Sequence, residues 1–197
     1  MKVLRKFLTY FLGGLLGLIL IGVLYFFISY SIESSANIES LGEGAERSIE
    51  NGFSFRDLNK NGKLDVYEDK RQDTEARVQD LLSQMNVEEK AGAMFISIIA
   101  ASSDGELLER PTPSNPFSFF SPINSTMIAK KKLNHFNIFA GPSAEAIVKW
   151  QNSVQKLAER TRLGIPITIA SDPRHSFSQN VGANLNDTSF SSWCEPL

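Results

Sequence analysis

The sequence has little of what builds a crosslinked or metal-clustered protein. Of its 197 residues one is cysteine, Cys194, and two are histidine, His135 and His175. A single thiol excludes an internal disulfide framework and a cysteine-based zinc site. An excess of either charge is also missing, because 20 basic side chains stand against 22 acidic ones for a net of −2. The lysines and arginines are scattered rather than arrayed in a stripe, which argues against the basic face of a nucleic-acid-binding domain. No internal repeat appears. What remains, 42% hydrophobic and 21% charged residues, is the ordinary proportion of a globular chain and excludes a disordered, collagen-like or low-complexity protein.

Charge is wholly missing from Phe7 to Ile32, a run dominated by Leu, Phe, Ile and Gly. At about 1.5 Å of rise per helical residue this run exceeds a hydrocarbon thickness of roughly 30 Å and spans a bilayer with some tilt. Ser34-Ser35-Ala36 supplies the small residues of a cleavage site, so a removed signal peptide is the alternative; such apolar regions usually run only about 7 to 15 residues. Lys2, Arg5 and Lys6 precede the span and Glu33 is the first charge after it. The positive-inside rule then keeps the N-terminus cytoplasmic and exports everything from Glu33 onward, to the periplasm or the cell exterior. Setting those three basic residues aside leaves the exported body at −5.

Glu33 to about Gly52 is polar, acidic and without apolar periodicity, which predicts a tether between membrane and body, with a short helix around Ala45 to Ile49 as the alternative. The next run, Asp57-Leu58-Asn59-Lys60-Asn61-Gly62-Lys63-Leu64-Asp65-Val66-Tyr67-Glu68, fits the twelve-residue EF-hand loop at every ligand position. Asp57, Asn59 and Asn61 occupy positions 1, 3 and 5, and Gly62 the sharp turn at 6. Lys63 offers its carbonyl at 7, Asp65 sits at 9 and Glu68 is the bidentate carboxylate at 12. Hard oxygen ligands at this spacing suit Ca²⁺ in a structural role; the bland alternative is an Asx-rich turn that needs no metal. Asn51-Gly52 and Phe53-Ser54-Phe55 make a poor incoming helix and no second loop is present, so a staple is expected rather than a sensor.

Beyond the loop, helices and strands alternate. Asp73 or Thr74 caps a helix whose Val78, Leu81, Leu82 and Met85 recur at helical spacing. A second helical turn starts near Asn86 with Glu88 and Glu89 in its first turn, and leads into the apolar run Ala93 to Ile99. After a Pro/Ser/Phe-rich loop from Ala101 to Pro122, a helix is expected at Ser125 to Lys132 and a strand at Phe136 to Phe139. Gly141-Pro142-Ser143 then caps an amphipathic helix from Ala144 to about Thr161. Ile165 to Ala170 is continuously apolar, as a parallel strand buried on both faces would be. This order predicts an α/β fold with a parallel sheet.

If that sheet is a barrel, chemistry belongs at the carboxyl ends of its strands. Ser171-Asp172-Pro173-Arg174-His175 follows the third strand, which makes Asp172 a candidate functional residue; capping a turn before Pro173 is its structural alternative. A serine-type catalytic triad fails for want of a nucleophile, since neither Ser171 nor Ser176 lies in a Gly-x-Ser-x-Gly elbow. The sequons at Asn124 and Asn186 carry no weight alone.

Several ordered motifs together resemble the N-terminal part of glycoside hydrolase family 3, the β-glucosidase group. They are the calcium-type loop; Arg77-Val78-Gln79-Asp80-Leu81-Leu82-Ser83-Gln84-Met85 with Glu88-Glu89-Lys90; Asn134-His135-Phe136 with Asn137; Trp150-Gln151-Asn152 with Gln155; and Thr161-Arg162-Leu163-Gly164-Ile165-Pro166 running into Asp172-Pro173-Arg174-His175. The resemblance covers roughly Asp57 to Leu197 and implies the first three or so units of a (β/α)₈ barrel of a retaining glycosidase acting on a β-glucoside or β-glucan oligosaccharide. It implies that Asp172 accepts hydrogen bonds from hydroxyls of the non-reducing glucosyl unit, with Arg174 and His175 supporting the loop. It also implies that the nucleophilic aspartate and the acid/base glutamate lie in motifs this chain does not contain, so that the polypeptide alone is expected to be inactive, with no cofactor for catalysis. The expected organisation is a membrane anchor at 1–32, a polar tether at 33–52, the calcium loop at 53–72 and a truncated family 3 domain at 73–197. A membrane-tethered, non-catalytic calcium- or carbohydrate-binding module is the alternative from another class.

Overall fold

The computed structural model describes residues 2–113, 115–138 and 143–171. Helix α1 runs Lys2–Glu39, and a hairpin follows of β1 (Glu46–Glu50) and β2 (Phe53–Asp57), paired antiparallel from Glu46 opposite Asp57 to Glu50 opposite Phe53. Asn51 and Gly52, both at positive φ, make the two-residue turn, as an Asn-Gly pair does in a tight hairpin. Then come α2 (Thr74–Gln84), α3 (Val87–Ala93), β3 (Ile96–Ile99), β4 (His135–Ile138), α4 (Ala144–Glu159) and β5 (Thr168–Ser171). Strands β3, β4 and β5 form one parallel sheet in that order, with Ile96, His135 and Thr168 in register.

Helices α2, α3 and α4 start where their caps dictate. The Asp73 carboxylate accepts from Ala76 N at 3.0 Å, and the Ser143 hydroxyl accepts from Ala146 N. Asn86 and Glu89 close a full capping box at the head of α3, satisfying two of the donors that a helix N-terminus leaves unpaired. Two strands begin later than their apolar runs suggest. Ala93 closes α3, so β3 starts only at Ile96. Pro166 has no N–H for a ladder, and both backbone groups of Ile167 are taken by the Gln155 amide of α4, with Nε2 donating to the carbonyl at 2.6 Å and Oε1 accepting from the N–H at 3.0 Å. The sheet therefore picks up the chain at Thr168. The expected helix over 125–132 is a π-helical turn at Thr126–Lys130, closed by Lys131 N on Thr126 O.

One face of the parallel sheet carries the core. Trp150, Val154, Leu157 and Ala158 form the buried stripe of α4 and pack on Ile99, Phe136, Ile138, Met127, Ile128 and Ile167. At roughly 1.5–3 kcal/mol per large apolar side chain, this layer is the main source of stability in the described body. The alternation of strand residues sends Ile96, Ile98, Thr168 and Ala170 to the opposite face, where they are exposed, Ile96 at 73%.

The segment from 33 to 52, which reads as a tether, is instead the last turns of α1 followed by strand β1. Residues 30, 33, 34, 37 and 38 lie along one side of α1 and are buried or half-buried, while the preceding turns are exposed. Asn37 Nδ2 donates to Thr126 Oγ1 at 2.8 Å, and that hydroxyl donates to Glu33 at 2.7 Å. Arg160 reaches the carbonyls of Ile38 and Gly42, both at 2.9 Å, satisfying acceptors at a helix C-terminus with a cation where the dipole favours one.

An ion pair joins α3 to the turn after α4. Arg162 donates to both oxygens of the buried Glu89 carboxylate and to the Gln84 carbonyl. Burial opposes ionisation of Glu89, but the Arg162 and Asn86 donors outweigh it and hold the carboxyl below its usual range. Arg162→Ala in the detergent-solubilised protein is expected to cost about 1–2 kcal/mol at neutral pH, read as a lowered Tm. A depressed carboxylate pKa stabilises the fold fully above the unfolded value of about 4.3 and ceases to do so as pH falls through the folded one. The Tm gap between wild type and variant should therefore close in acid; a gap independent of pH would mean that the ion pair is not its source.

Candidate functional site

Two regions bear on function, the loop at 57–68 and the carboxyl edge of the parallel sheet. The loop folds around its own carboxylates. Asp57, the last residue of β2 and 7% exposed, accepts from Asn61 N at 3.1 Å and Gly62 N at 2.8 Å. Glu68, 6% exposed, takes Leu58 N at 2.6 Å and Asn59 N on one oxygen and Asp65 N at 3.2 Å on the other. Asn59 and Asn61 both turn their amide Nδ2 toward Asp65 Oδ2, at 2.7 and 2.6 Å, while their Oδ1 atoms accept from Asn61 N and Lys63 N. Gly62 supplies the turn at φ +76°, a conformation that costs a residue with a Cβ roughly 1–2 kcal/mol.

The loop sets three carboxylates, Asp57, Asp65 and Glu68, against two lysines, Lys60 and Lys63. Among the described residues no ion pair joins Asp57, Asp65 or Glu68 to a basic side chain. Lys60, inside the loop, sends its ammonium instead to the carbonyls of Glu159 and Thr161, at 2.6 and 2.5 Å. Burial lowers the Lys60 pKa, offset in part by attraction to Asp57, Glu159 and Glu68. Desolvation raises the Glu68 pKa, with the neighbouring Asp65 charge adding to it and the backbone donors opposing it. Asp69, just outside the loop, is held well below the usual carboxylate range by the Arg71 guanidinium. Among the described residues no group of three or more His, Cys, Asp or Glu side chains is arranged to hold a metal ion. The donor set is hard oxygen and suits Ca²⁺. It is closed on itself by the two asparagine amides, which donate to Asp65 and accept from the Asn61 and Lys63 N–H groups.

The loop also fastens separate elements together. Asn59 donates to Gln84 and Tyr67 N to Asp80, both on α2, and Tyr67 Oη donates to Leu163 O. Lys60 caps the carbonyl of Glu159, the last residue of α4, and that of Thr161 just beyond it. Gly164, at φ +57°, sits so close to the loop that a Cβ there would lie 2.8 Å from the Leu58 carbonyl oxygen.

At the carboxyl edge of the sheet, β3 and β4 end at Ile99 and Ile138 and β5 at Ser171. Asp172, Arg174 and His175 lie outside the described residues, as do Ser176, Asn186, Asp187, Cys194 and Glu195. The structure thus brings together Asp57, Asn59, Asn61, Lys63, Asp65 and Glu68 in one loop and describes the strand that leads to Asp172. Sequence reasoning missed Asn124. Wholly buried, it accepts from Trp150 Nε1 at 3.0 Å and Leu108 N at 2.9 Å through Oδ1, and donates from Nδ2 to Ala100 O at 3.1 Å. That amide splices the chain after β3 to α4 and is not available to a glycan. Its sequon, which carried no weight in the sequence, gives no hint of this role.

Three parallel strands, with a helix crossing over one face between the second and third, define an α/β chain built of βαβ connections. Its relatives in sequence are glycosidases. The chain is 39% identical over 157 residues to the periplasmic beta-glucosidase/beta-xylosidase of Dickeya chrysanthemi, covering 78% of this chain and 23% of that protein. It is 40% identical over 135 residues to beta-glucosidase C of Emericella nidulans, covering 68% and 20%, and 35% identical over 150 residues to the probable beta-glucosidase C of Aspergillus oryzae, covering 76% and 22%. No model of a known protein family matches. The chain is thus a homologue of a portion of the β-glucosidase group, glycoside hydrolase family 3, and spans less than a quarter of the length of the curated relatives it matches.

The two positive-φ glycines of this region separate backbone strain from crowding. Gly62→Ala, with open space around the added methyl, should cost about 1 kcal/mol in urea denaturation. Gly164→Ala pays the same strain and also meets Leu58, so its cost should be at least about 2 kcal/mol. Equal costs would mean that loop and strand lead-in are not in contact.

Proposed function

We propose that this chain is a membrane-anchored part of a retaining β-glucosidase scaffold, the first three or so units of a (β/α)₈ barrel. The observation that carries the reading is the three-strand parallel sheet, covered by α4 on one face and presenting exposed Ile96, Ile98 and Ala170 beside the polar His135, Asn137 and Thr168 on the other, in a chain whose relatives are beta-glucosidases. A barrel interior is filled from all its strands, so a face bearing Ile96 and Ile98 is what a barrel segment presents.

In this reading Asp172, the residue after β5 in the chain, accepts hydrogen bonds from two hydroxyls of the terminal glucosyl unit of a β-glucoside or β-glucan oligosaccharide. An ionised carboxylate suits that task because it is an acceptor alone and discriminates against ligands lacking the hydroxyls. Arg174 and His175 support the loop rather than react. Retaining hydrolysis needs a carboxylate nucleophile and a carboxylic acid about 5 to 5.5 Å apart, and no motif of this chain supplies that pair. The polypeptide by itself is therefore expected to bind sugar without turning it over.

Ca²⁺ is assigned to the loop as a staple. Asp57, Asn59, Asn61, Asp65 and Glu68 would hold it through side-chain oxygens and Lys63 through its carbonyl, the cation offsetting three carboxylates that form no ion pair with a basic side chain and replacing the two amide contacts to Asp65. The helix α1 is assigned as the anchor, with the body periplasmic or extracellular. In support, α1 has no charged side chain between Lys6 and Glu33, and Ser34, within the cleavage-like triplet, is buried in continuous helix beside Glu33 and Asn37, both of which contact Thr126.

Calorimetric titration tests both sites. Glucose should bind the wild type and not Asp172→Ala, and Ca²⁺ should raise the Tm of the wild type and not of Glu68→Ala. At a hundredfold excess over Kd the stabilisation amounts to about 2.7 kcal/mol. Hydrolysis of an aryl β-glucoside by the 197-residue polypeptide, abolished by Asp172→Ala, would overturn the assignment of catalysis to groups outside it. Ca²⁺ binding without any sugar binding would favour a tethered calcium module instead.

A further inference from the structure

The aromatic turn at Pro116–Phe119 buries Ser118 in the body and turns the Phe119 ring to α1. The Phe119 ring stacks on Phe26 with centroids 6.4 Å apart and planes at 11°. Phe26 also meets Tyr30 edge-on at 5.0 Å and Phe27 at 5.5 Å. Phe120 is 88% exposed, and on α1 Tyr25, Phe27 and Ile28, the neighbours of Phe26 in the chain, are exposed as well. Between helix and body lies an open hollow of about 430 Å³ with Tyr30, Phe119 and Phe120 on its apolar side and Lys130 and Lys131 on its basic side. The one carboxylate in it, Glu33, already accepts from Thr126.

Height along α1 says what fills this hollow. The 26 uncharged residues from Phe7 to Ile32 make about 39 Å of helix, some 9 Å more than a hydrocarbon core of roughly 30 Å. With Lys6 marking one boundary, the other falls near Phe26, and the last six residues of the run occupy the interfacial layer. Phe119, stacked on Phe26, is then level with that boundary. Exposed aromatic rings at the interface and lysines just above it are the side chains that lipid interfaces favour.

We propose that Phe119, Phe120, Lys130 and Lys131 form a second membrane contact, in which the two rings enter the lipid interface beside α1 and the two lysines engage anionic phospholipid headgroups. The proposal rests on α1 spanning the bilayer, and it makes the body a membrane-seated one. No tethered position above the bilayer satisfies the Phe26–Phe119 stack.

The test uses the full chain with Cys194→Ser, carrying one nitroxide at Phe120→Cys or at Leu20→Cys, in vesicles of phosphatidylcholine and phosphatidylglycerol in equal parts. Phe120 is exposed, so its replacement leaves the core intact. Power saturation then reads collisions with oxygen, which enters lipid, against a water-soluble nickel chelate, which does not. Both labels are expected to favour oxygen. The Lys130→Glu, Lys131→Glu double variant should raise nickel collisions at position 120 in these vesicles and not in pure phosphatidylcholine. A label at 120 open to nickel, with the label at 20 in lipid, would overturn the seating while leaving the anchor intact. A label at 20 open to nickel would overturn the anchor itself, and the seating with it. An unchanged signal in the double variant would overturn the headgroup assignment.

Discussion

Parallel strands are stable only when covered on both faces, because the βαβ connections that make them put their helices against the sheet and leave strands apolar on either side. Everything described of this body follows from how that requirement is met on one face. The α4 stripe of Trp150, Val154, Leu157 and Ala158 covers Phe136 and Ile138, and Asn124 ties Trp150 to the chain leaving β3. Without that amide, a buried indole N–H and two backbone groups would lack partners, each costing about 1–3 kcal/mol. The opposite face differs in kind: exposed Ile96 and Ile98 share it with half-buried His135 and Asn137.

Most elements were legible because their signals are local. Asp73, the Asn86/Glu89 box and Ser143 each fix a helix start through a bond spanning three residues, and the 57–68 loop is written in one contiguous run. Partners far apart in sequence were not legible. Thr126 and Glu33 are separated by 93 residues, and a pair of polar side chains at that distance looks like two surface residues until the fold brings them together. For that reason 33–52 reads as a tether: its residues are polar in order to meet Ser125, Thr126 and Arg160, not water alone. The strand bounds shifted for a similar cause, since only the structure shows Gln155 taking both backbone groups of Ile167. Of the candidate site, the loop residues were legible together, whereas Asp172, Arg174 and His175 were legible only by position after an apolar run.

The motifs that link this chain to β-glucosidases are, where described, joints of the scaffold. Arg162 reaches Glu89, Trp150 reaches Asn124, Gln155 clamps the entry to β5, and the Asn134 carbonyl accepts from Thr168 N at 2.8 Å. None of these groups is poised for proton transfer or nucleophilic attack. A scaffold whose joints are this polar holds the strand ends in fixed register, which a sugar-binding carboxylate needs, since hydrogen bonds to hydroxyls lose strength steeply with distance and angle.

The same reasoning applies to the helix that enters the body. A flexible tether would let a substrate edge face any direction above a membrane. Here Arg160 holds the carbonyls of Ile38 and Gly42, Asn37 and Glu33 share the Thr126 hydroxyl, and Ile38 and Leu41 pack against the core. These contacts surround the last turns of α1 on its body-facing side, so the helix axis and the sheet turn as one piece. In the proposed membrane-anchored arrangement, the direction in which β3, β4 and β5 point would follow the tilt of α1, to which Thr126 and Arg160 fasten the body.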